Sequence, residues 1–131
     1  MDLKSRFETD KLLEEEGVWV DIGDGGRLKV ARRGNRRYRD KLRALTRGRE
    51  RQLQLNTLPE DIAEDMLCQA LACGILLDWD GIEEDGRKLP YTQETAVELL
   101  RRYADFRVLV ETLSDDMAAY RTRELEAAEK N

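Results

Sequence analysis

The sequence predicts an α+β fold that is mostly α, with an N-terminal β-hairpin packed on about four helices. Three observations carry this prediction. Two short segments near the N-terminus alternate apolar and polar residues across a glycine-rich turn, which is typical of a hairpin. Later segments place apolar residues three and four positions apart, as amphipathic helices do. The chain has 131 residues, and we find no linker and no internal repeat, which favours a single domain over residues 1–131.

The first 31 residues divide into an arm and a hairpin. Residues 1–16 are mostly polar and are expected to form an N-terminal arm or a short helix. In the hairpin, residues 17–31, Val18 and Val20 share one strand face, and Gly-Asp-Gly-Gly at 23–26 forms the turn because glycine accepts positive φ. Two strands are not stable alone in water, so we expect the hairpin to pack against helices.

Residues 35–120 are expected to form the helical core. A first helix is predicted over about 35–55, where apolar residues recur at spacings of four and three among many basic residues. Gly48 is expected to break or bend this helix, because glycine costs about 1 kcal/mol in a helix interior.

The next helix is predicted over about 57–77 and is the most apolar element of the chain. Its start resembles a capping box, in which Thr57 bonds the amide of Glu60 and the Glu60 side chain bonds back. Pro59 falls in the first turn, where its missing N–H group is harmless. This helix is therefore expected to lie at the centre of the core.

The last third of the chain is predicted to contain an acidic loop over 78–86 and two further helices. Thr92 is placed to cap the first of these helices. The final helix begins at about Asp105, and its apolar stripe consists of Phe106, Val110, Leu113, Met117 and Tyr120. We expect this stripe to pack within the domain or on a partner, and we expect residues 121–131 to form a flexible tail.

The composition argues against an enzyme. The chain has no histidine, two cysteines and two serines, which excludes Ser-His-Asp and Cys-His catalysis and any histidine-ligated metal. Cys68 and Cys73 lie in an apolar stretch, where buried reduced thiols fit better than a disulfide. No catalytic residue and no cofactor is expected.

The acidic segment at 78–86 does not match a metal site. Asp78 and Asp80 open like an EF-hand, but Ile82 stands at the third ligand position and no bidentate glutamate follows. A solvated turn is the better interpretation. The glycines at 23–26 join two strands and lack the Gly-Lys-Ser/Thr of a phosphate-binding loop.

Charge is divided unevenly along the chain. Residues 27–51 contain twelve Lys or Arg and two acids, a local charge of +10, whereas the remainder carries −15. The basic segment, including Arg36 and Arg37, could follow a phosphate backbone. Only Tyr38 interleaves as a stacking aromatic, however, and no nucleic-acid-binding signature is present. Pairing with the acidic remainder or with a protein partner is the favoured alternative.

The two tryptophans leave two interpretations open. Trp19 lies in a predicted strand and Trp79 lies between acids. Each could anchor the edge of the core, or serve as an exposed recognition aromatic.

The order of several short motifs resembles that of tail assembly chaperones of long-tailed (siphovirus-type) bacteriophages and prophages. The first half has GVWVDIGDG from Gly17, LKVAR from Leu28, and Asn35 followed by Tyr38. The second half has LLDWDG from Leu76 and LPYTQETAVELL from Leu89. The resemblance covers residues 16–121.

This resemblance implies a non-catalytic chaperone. Such proteins are encoded beside the tape measure protein, coat its long hydrophobic helix, help recruit tail tube protein and are absent from the finished virion. Many also exist as a longer, frameshifted form. The resemblance therefore implies tape measure and tail tube partners, no catalytic residues, and a location in the host cytoplasm.

A protein of this kind needs an apolar groove surrounded by charge. We predict the groove between the 57–77 helix and the final helix, floored by Leu71, Leu109 and Leu113, although core is the favoured interpretation for most of these residues. The candidate partner-binding residues are Trp79, Leu109, Leu113, Met117, Tyr120, Arg36 and Arg37.

Three other outcomes stay open. The alternative function is an arginine-rich nucleic-acid-binding module of a phage or prophage. Another possible function is that of a tail component retained in the virion. Self-association is compatible with the pattern. No apolar run approaches the roughly 18 residues needed to cross a bilayer, so no membrane partner is expected.

Overall fold

The computed structural model describes residues 1–121. Within this part the α+β, mostly α prediction is confirmed. The helices are α1 Leu3–Phe7, α2 Lys11–Glu16, α3 Arg36–Thr46, α4 Glu50–Gln54, α5 Glu60–Gly74, α6 Gln93–Arg102 and α7 Ala104–Ser114, followed by a 3₁₀ turn, Met117–Tyr120. The strands are β1 Val18–Gly23, β2 Gly26–Val30, β3 Leu76–Asp80, β4 Glu83–Glu84 and β5 Arg87–Lys88.

The predicted hairpin forms, but it belongs to a three-stranded antiparallel sheet of order β1-β2-β3. Val30 lies opposite Val18 on β1 and opposite Leu76 on β3. The prediction of a solvated acidic loop over 78–86 was wrong at its start, because residues 78–80 belong to β3; residues 81–86 are mostly exposed and contain the short strand β4. Asp78, Trp79 and Asp80 alternate polar and apolar side chains, and this period of two places the indole on the buried face of a strand.

The helix predicted over 57–77 is shorter, because α5 ends at Gly74. A Cβ atom on Gly74 would lie 2.5 Å from the backbone nitrogen of Tyr38, so only glycine lets α3 approach α5 this closely. The side-chain amide of Asn35 donates to the Gly74 carbonyl at 2.7 Å and its carbonyl oxygen caps α3 by accepting from the Tyr38 amide. The contact between α5 and α3 thus lies at Gly74, the last residue of α5.

The capping box predicted at Thr57 and Glu60 does not form. The Thr57 hydroxyl donates to the Gln52 carbonyl at 3.5 Å, and α5 begins after Pro59 with no side-chain cap. The cap predicted at Thr92 is confirmed, since its hydroxyl accepts from the Thr95 amide at 3.0 Å. The break at Gly48 is also confirmed: its φ is +81°, and α3 and α4 lie on either side of it.

The long final helix is the second correction. α7 ends at Ser114, so Met117 and Tyr120 are not on the same helix as Phe106. Asp116 caps the 3₁₀ turn that follows by accepting from the Ala118 amide at 3.1 Å. The turn directs the Tyr120 ring into the core, where its hydroxyl donates to the Val30 carbonyl at 3.0 Å.

The N-terminal arm forms the short helices α1 and α2, which are held by the last described residues. The Asp10 amide donates to the Tyr120 carbonyl at 2.7 Å, and the buried Arg121 guanidinium donates to the carbonyls of Ser5 and Arg6. Arg121 was predicted to begin a flexible tail, yet it is 5% exposed. The remainder of that predicted tail, 122–131, lies outside the described residues.

The hydrophobic core is shared by the buried faces of β2, β3, α5, α6 and α7. Its fully buried large apolar side chains are Leu28, Val30, Leu71, Ile75, Leu76, Leu100 and Val110. Leu71 on α5 is central, as the apolar pattern of that helix predicts. In the part of the chain that the structure covers, no helix has the length and apolarity that crossing a membrane requires.

We expect Leu71→Ala to lower the free energy of unfolding by about 2–5 kcal/mol, because the substitution leaves a cavity in the core. Leu53→Ala is the matched control: Leu53 is 45% exposed on α4, and its truncation is expected to cost about 0.5 kcal/mol or less. Urea denaturation followed by circular dichroism measures both. Equal losses in the two variants would show that Leu71 is not central.

Candidate protein-docking cleft

An open cleft of about 890 Å³ lies where the β1–β2 turn meets residues 81–85 and the α6–α7 junction. Its floor is apolar and consists of Ile22, Ile82, Leu99 and Phe106. Its rim carries five acidic side chains and no basic one among the lining residues: Asp24, Glu83, Glu84, Asp85 and Asp105. We call this site the acidic cleft.

The acidic cleft is built from backbone turns that hold its two walls together. Asp21 accepts from the Gly23 amide at 2.8 Å, which shapes the β1–β2 turn. Gly81 has φ +69°, and a Cβ atom there would collide with the Gly25 carbonyl. Only glycine permits this contact, so the turn and the 81–85 segment are held in contact.

One rim carboxylate is neutralised by its neighbours, and the others are not. Glu84 accepts from the Tyr103 hydroxyl at 2.6 Å and from Arg102 at 2.7 Å, and these hydrogen bonds lower the pKa of Glu84. The same carboxylate raises the pKa of Tyr103. Asp24, Asp85 and Asp105 form no ion pair with any residue in 1–121.

Glu83 is only weakly compensated. It lies opposite Lys88 in the β4–β5 pair, but the two side chains do not form a salt bridge. The rim therefore presents net negative charge around an apolar floor. Such a site suits a segment with basic residues beside bulky apolar ones.

Trp79 and Tyr120, two of the candidate contact residues, are core anchors in the structure. Trp79 is 5% exposed, donates from Nε1 to the Leu89 carbonyl at 2.7 Å and packs edge-on against Tyr91. Tyr120 is fully buried, and this burial raises the pKa of its hydroxyl strongly. Trp19 differs, since it is 41% exposed with Arg27 stacked over its ring.

Leu71, which was predicted to floor a groove between α5 and the final helix, belongs to the core. Leu71 is fully buried, and α7 packs mainly on α6 and β2. At its start α7 contacts α5 through Arg107, which donates to Glu64 at 3.2 Å. Leu109, Leu113 and Met117 are partly exposed, and their role as partner contacts stays a prediction.

The basic segment is divided between inward pairs and an outward face. Arg32 pairs with Glu14 at 3.4 Å, and Arg33 pairs with Glu111 at 2.7 Å and with Asp115. On α3, Arg36 and Arg37 are exposed. The pairing of basic with acidic residues that the sequence predicts therefore occurs at Arg32 and Arg33, after β2, whereas the α3 arginines face solvent.

Arg36 and Arg37 make only peripheral contacts with the rest of the chain. Arg36 forms a long ion pair with Asp40 at 3.7 Å, and Arg37 donates to the Glu15 carbonyl. Neither residue lines the acidic cleft.

The sequence did not single out the residues that form the acidic cleft. Ile22 falls within the predicted hairpin, Phe106 within the predicted helical stripe, and the acids at 83–85 within the predicted acidic loop. Their common location depends on β3, which returns the chain to the hairpin turn. A sequence signal was present in Asp78-Trp79-Asp80, whose alternation indicates a strand.

Carboxylate clusters and the two cysteines are the other candidates for chemistry in the described residues. No group of three or more Cys, Asp or Glu side chains in residues 1–121 is placed to hold a metal ion. Both cysteines are free thiols, Cys68 buried and Cys73 partly exposed. Burial raises the pKa of Cys68, although Arg107 lies 3.8 Å from its sulfur.

We expect Tyr103→Phe to raise the pKa of Glu84, because the variant removes the hydroxyl donor that stabilises the carboxylate. In the wild type the lowered pKa stabilises the fold above the unfolded-state pKa of Glu84, and this contribution is lost as pH falls through the folded-state value. Carboxyl-carbon NMR titration measures the shift. Tyr91→Phe is the control, since the Tyr91 hydroxyl donates to the Leu76 carbonyl instead. An unchanged Glu84 pKa in Tyr103→Phe would contradict the assigned hydrogen bond.

The comparisons with known proteins point to a prophage origin. A family model described as YdaY prophage protein matches residues 33–131, which include α3 to α7 and leave out α1, α2 and the β1–β2 hairpin. No curated protein and no solved structure matches the chain. The match agrees with the phage or prophage origin that the motif resemblance implies. Because it covers more than half of the chain, this protein belongs to the YdaY prophage protein family.

Proposed function

We propose that this prophage protein is a non-catalytic tail assembly chaperone that binds the tape measure protein and helps recruit tail tube subunits. The observation that carries the proposal is the acidic cleft, an open apolar floor surrounded by five carboxylates, of which only Glu84 forms a salt bridge within the described residues. The proposed place of action is the host cytoplasm, and the finished virion would not contain the protein.

The chemistry of the acidic cleft suits a chaperone that holds a client without changing it. Ile82 and Phe106 offer apolar surface that a client side chain can cover, which removes both surfaces from water. The surrounding carboxylates stay hydrated and keep the complex from aggregating. The openness of the site suits a segment of a long client better than a small molecule, which binds in enclosed pockets.

Two further observations support the proposal. The family match is to a prophage protein, and the motifs that resemble tail assembly chaperones extend over residues 16–121. The chain also lacks histidine and has only two serines, so the residues on which most hydrolytic enzymes depend are scarce.

We expect co-expression with the tape measure protein of the same prophage to increase the soluble fraction of that protein, measured after centrifugation of the lysate. Ile82→Ser is expected to abolish most of the gain, because it removes apolar surface from the cleft floor. Val108→Ser is the matched control, since Val108 is 56% exposed on α7 and does not line the acidic cleft.

Thermal melting of Ile82→Ser shows whether the variant is folded. Glu83→Lys provides a second test, because it changes rim charge without touching the core. If wild-type protein leaves tape measure solubility unchanged, the chaperone proposal fails. If Ile82→Ser and Glu83→Lys both work as well as wild type, the client binds elsewhere.

The exposed arginines of α3 support a second candidate, an arginine-rich nucleic-acid-binding module. The Arg36 and Arg43 side chains are 80% and 73% exposed, and their only carboxylate partner is Asp40, within the described chain. A protein that binds phosphates through such a face loses affinity steeply with salt. Micromolar binding to random DNA at low salt, lost at moderate salt and in Arg36→Glu, would favour this candidate.

A further inference from the structure

We propose that copies of this protein associate head to tail, with α4 of one copy seated in the acidic cleft of the next. The cleft presents apolar side chains inside a negative rim, and α4 presents apolar side chains beside positive charges. Each copy carries both surfaces. The partner is therefore a second copy of the chain.

The first observation is the character of α4, Glu50–Gln54, which has no buried residue. Leu53 is 45% exposed and Leu55, directly after the helix, is 60% exposed. Leucines exposed this far on a short surface helix gain free energy when a partner covers them. Gly48 at φ +81° and Asn56 at φ +54° bound this segment, and no other helix or strand of the described chain packs extensively against it.

The second observation is the charge of the same segment. Arg47, Arg49 and Arg51 form no ion pair with a carboxylate in the described chain. The single acid, Glu50, accepts from the Gly48 amide at 3.0 Å, and its own backbone and that amide lower its pKa. The segment thus carries net positive charge next to its exposed leucines.

The third observation is that the acidic cleft shows the complementary pattern. Asp24, Glu83, Asp85 and Asp105 surround the floor without a salt bridge in the described chain, and no residue of α4 lines the cleft. Opposite charges steer the two surfaces together, and the leucines cover the floor. A contact between one short helix and one cleft buries little surface, and interfaces that bury little surface are weak.

The N-terminal arm is a less suitable occupant. α1 exposes Leu3 and Phe7, but Asp2 and Glu8 flank its two basic residues, so its charge is nearly balanced. α4 combines exposed apolar surface with net positive charge. For that reason the inference commits to α4.

Because the two surfaces differ, the contact is heterologous, and association yields open chains or rings rather than a symmetric dimer. The inference rests on the proposed function in one respect, namely that client and α4 occupy the same cleft. Copies would then cover each other's apolar floors until a client segment displaces α4.

Sedimentation equilibrium of the full chain tests the association. At low ionic strength, we expect the weight-average mass to rise above 15.2 kDa with concentration. At about 0.5 M salt, where exposed charges are screened, we expect it to fall towards the monomer. A mass that stays at the monomer value up to millimolar concentration would overturn the inference.

Two double variants separate the surfaces. The cleft variant is Glu83→Lys with Asp105→Lys, and the α4 variant is Arg51→Glu with Leu53→Ser. Each is expected to lower the association constant on the order of tenfold or more. When mixed, they are expected to form a complex of two copies and nothing larger, because the intact α4 of one fits the intact cleft of the other.

Matched controls make the same changes of charge and apolar surface outside the proposed interface. Glu94→Lys with Glu98→Lys makes the same charge change on α6, outside the acidic cleft. Lys11→Glu with Leu12→Ser makes the same charge change and the same loss of a leucine on α2, where Leu12 is 62% exposed. Both controls should associate as wild type does. Association that survives in the α4 variant, or mixed variants that stay monomeric, would overturn the assignment.

Circular dichroism confirms that each variant is folded. If the cleft variant is not, Glu83→Gln with Asp105→Asn removes the same charges with less perturbation. The outcome is separable from that of the proposed function. Self-association without tape measure binding would refute only the chaperone role, whereas tape measure binding by a strict monomer would refute only the self-association.

Discussion

The architecture depends on the burial of β2 between two neighbouring strands. Val30 is fully buried and lies opposite Val18 on one side and Leu76 on the other. Its carbonyl also accepts from the Tyr120 hydroxyl, a contact across 90 positions of sequence. One residue thus joins the hairpin, the strand after α5 and the end of the described chain. Because its polar groups are satisfied there, the core can close without an unpaired carbonyl.

The other end of β2 sets the position of the acidic cleft. Gly26 begins the strand, the preceding turn touches Gly81 after β3, and the two connections form adjacent walls. β3 is what carries the 81–85 segment to the hairpin turn. The same pairing that buries Trp79 on one side of the sheet therefore places Glu83 and Asp85 at the cleft rim. Core and candidate site have one structural cause.

The uneven charge of the sequence is partly satisfied in three dimensions and partly left exposed. Arg32 and Arg33 pair with acids of α2 and α7, which fastens the strand end to the helices. The cations at 47–51 and the cleft acids other than Glu84 have no salt-bridge partner within the described chain. Exposed pairs contribute little to stability, so leaving these charges unpaired costs the fold little. They remain available for binding, the basis of both proposals made above.

Features with a local physical cause followed from the sequence by itself. The alternation at Val18 and Val20 before a glycine turn produces the hairpin. Gly48 separates α3 from α4, and the Thr92 hydroxyl caps α6. Each depends on backbone conformations or hydrogen bonds within a few residues. The absence of histidine and the apolar character of α5 can likewise be recognised without knowledge of tertiary contacts.

Tertiary structure decided where a local preference met a stronger contact. Leu76 continues an apolar run that favours a helix, but it pairs with the open edge of β2 as a strand residue. The strand is favoured because each ladder hydrogen bond there satisfies a buried backbone group. Tyr120 continues a helical stripe, yet burial of its ring and its bond to Val30 favour a 3₁₀ turn. The acidic cleft joins three distant segments, and no local pattern encodes their meeting.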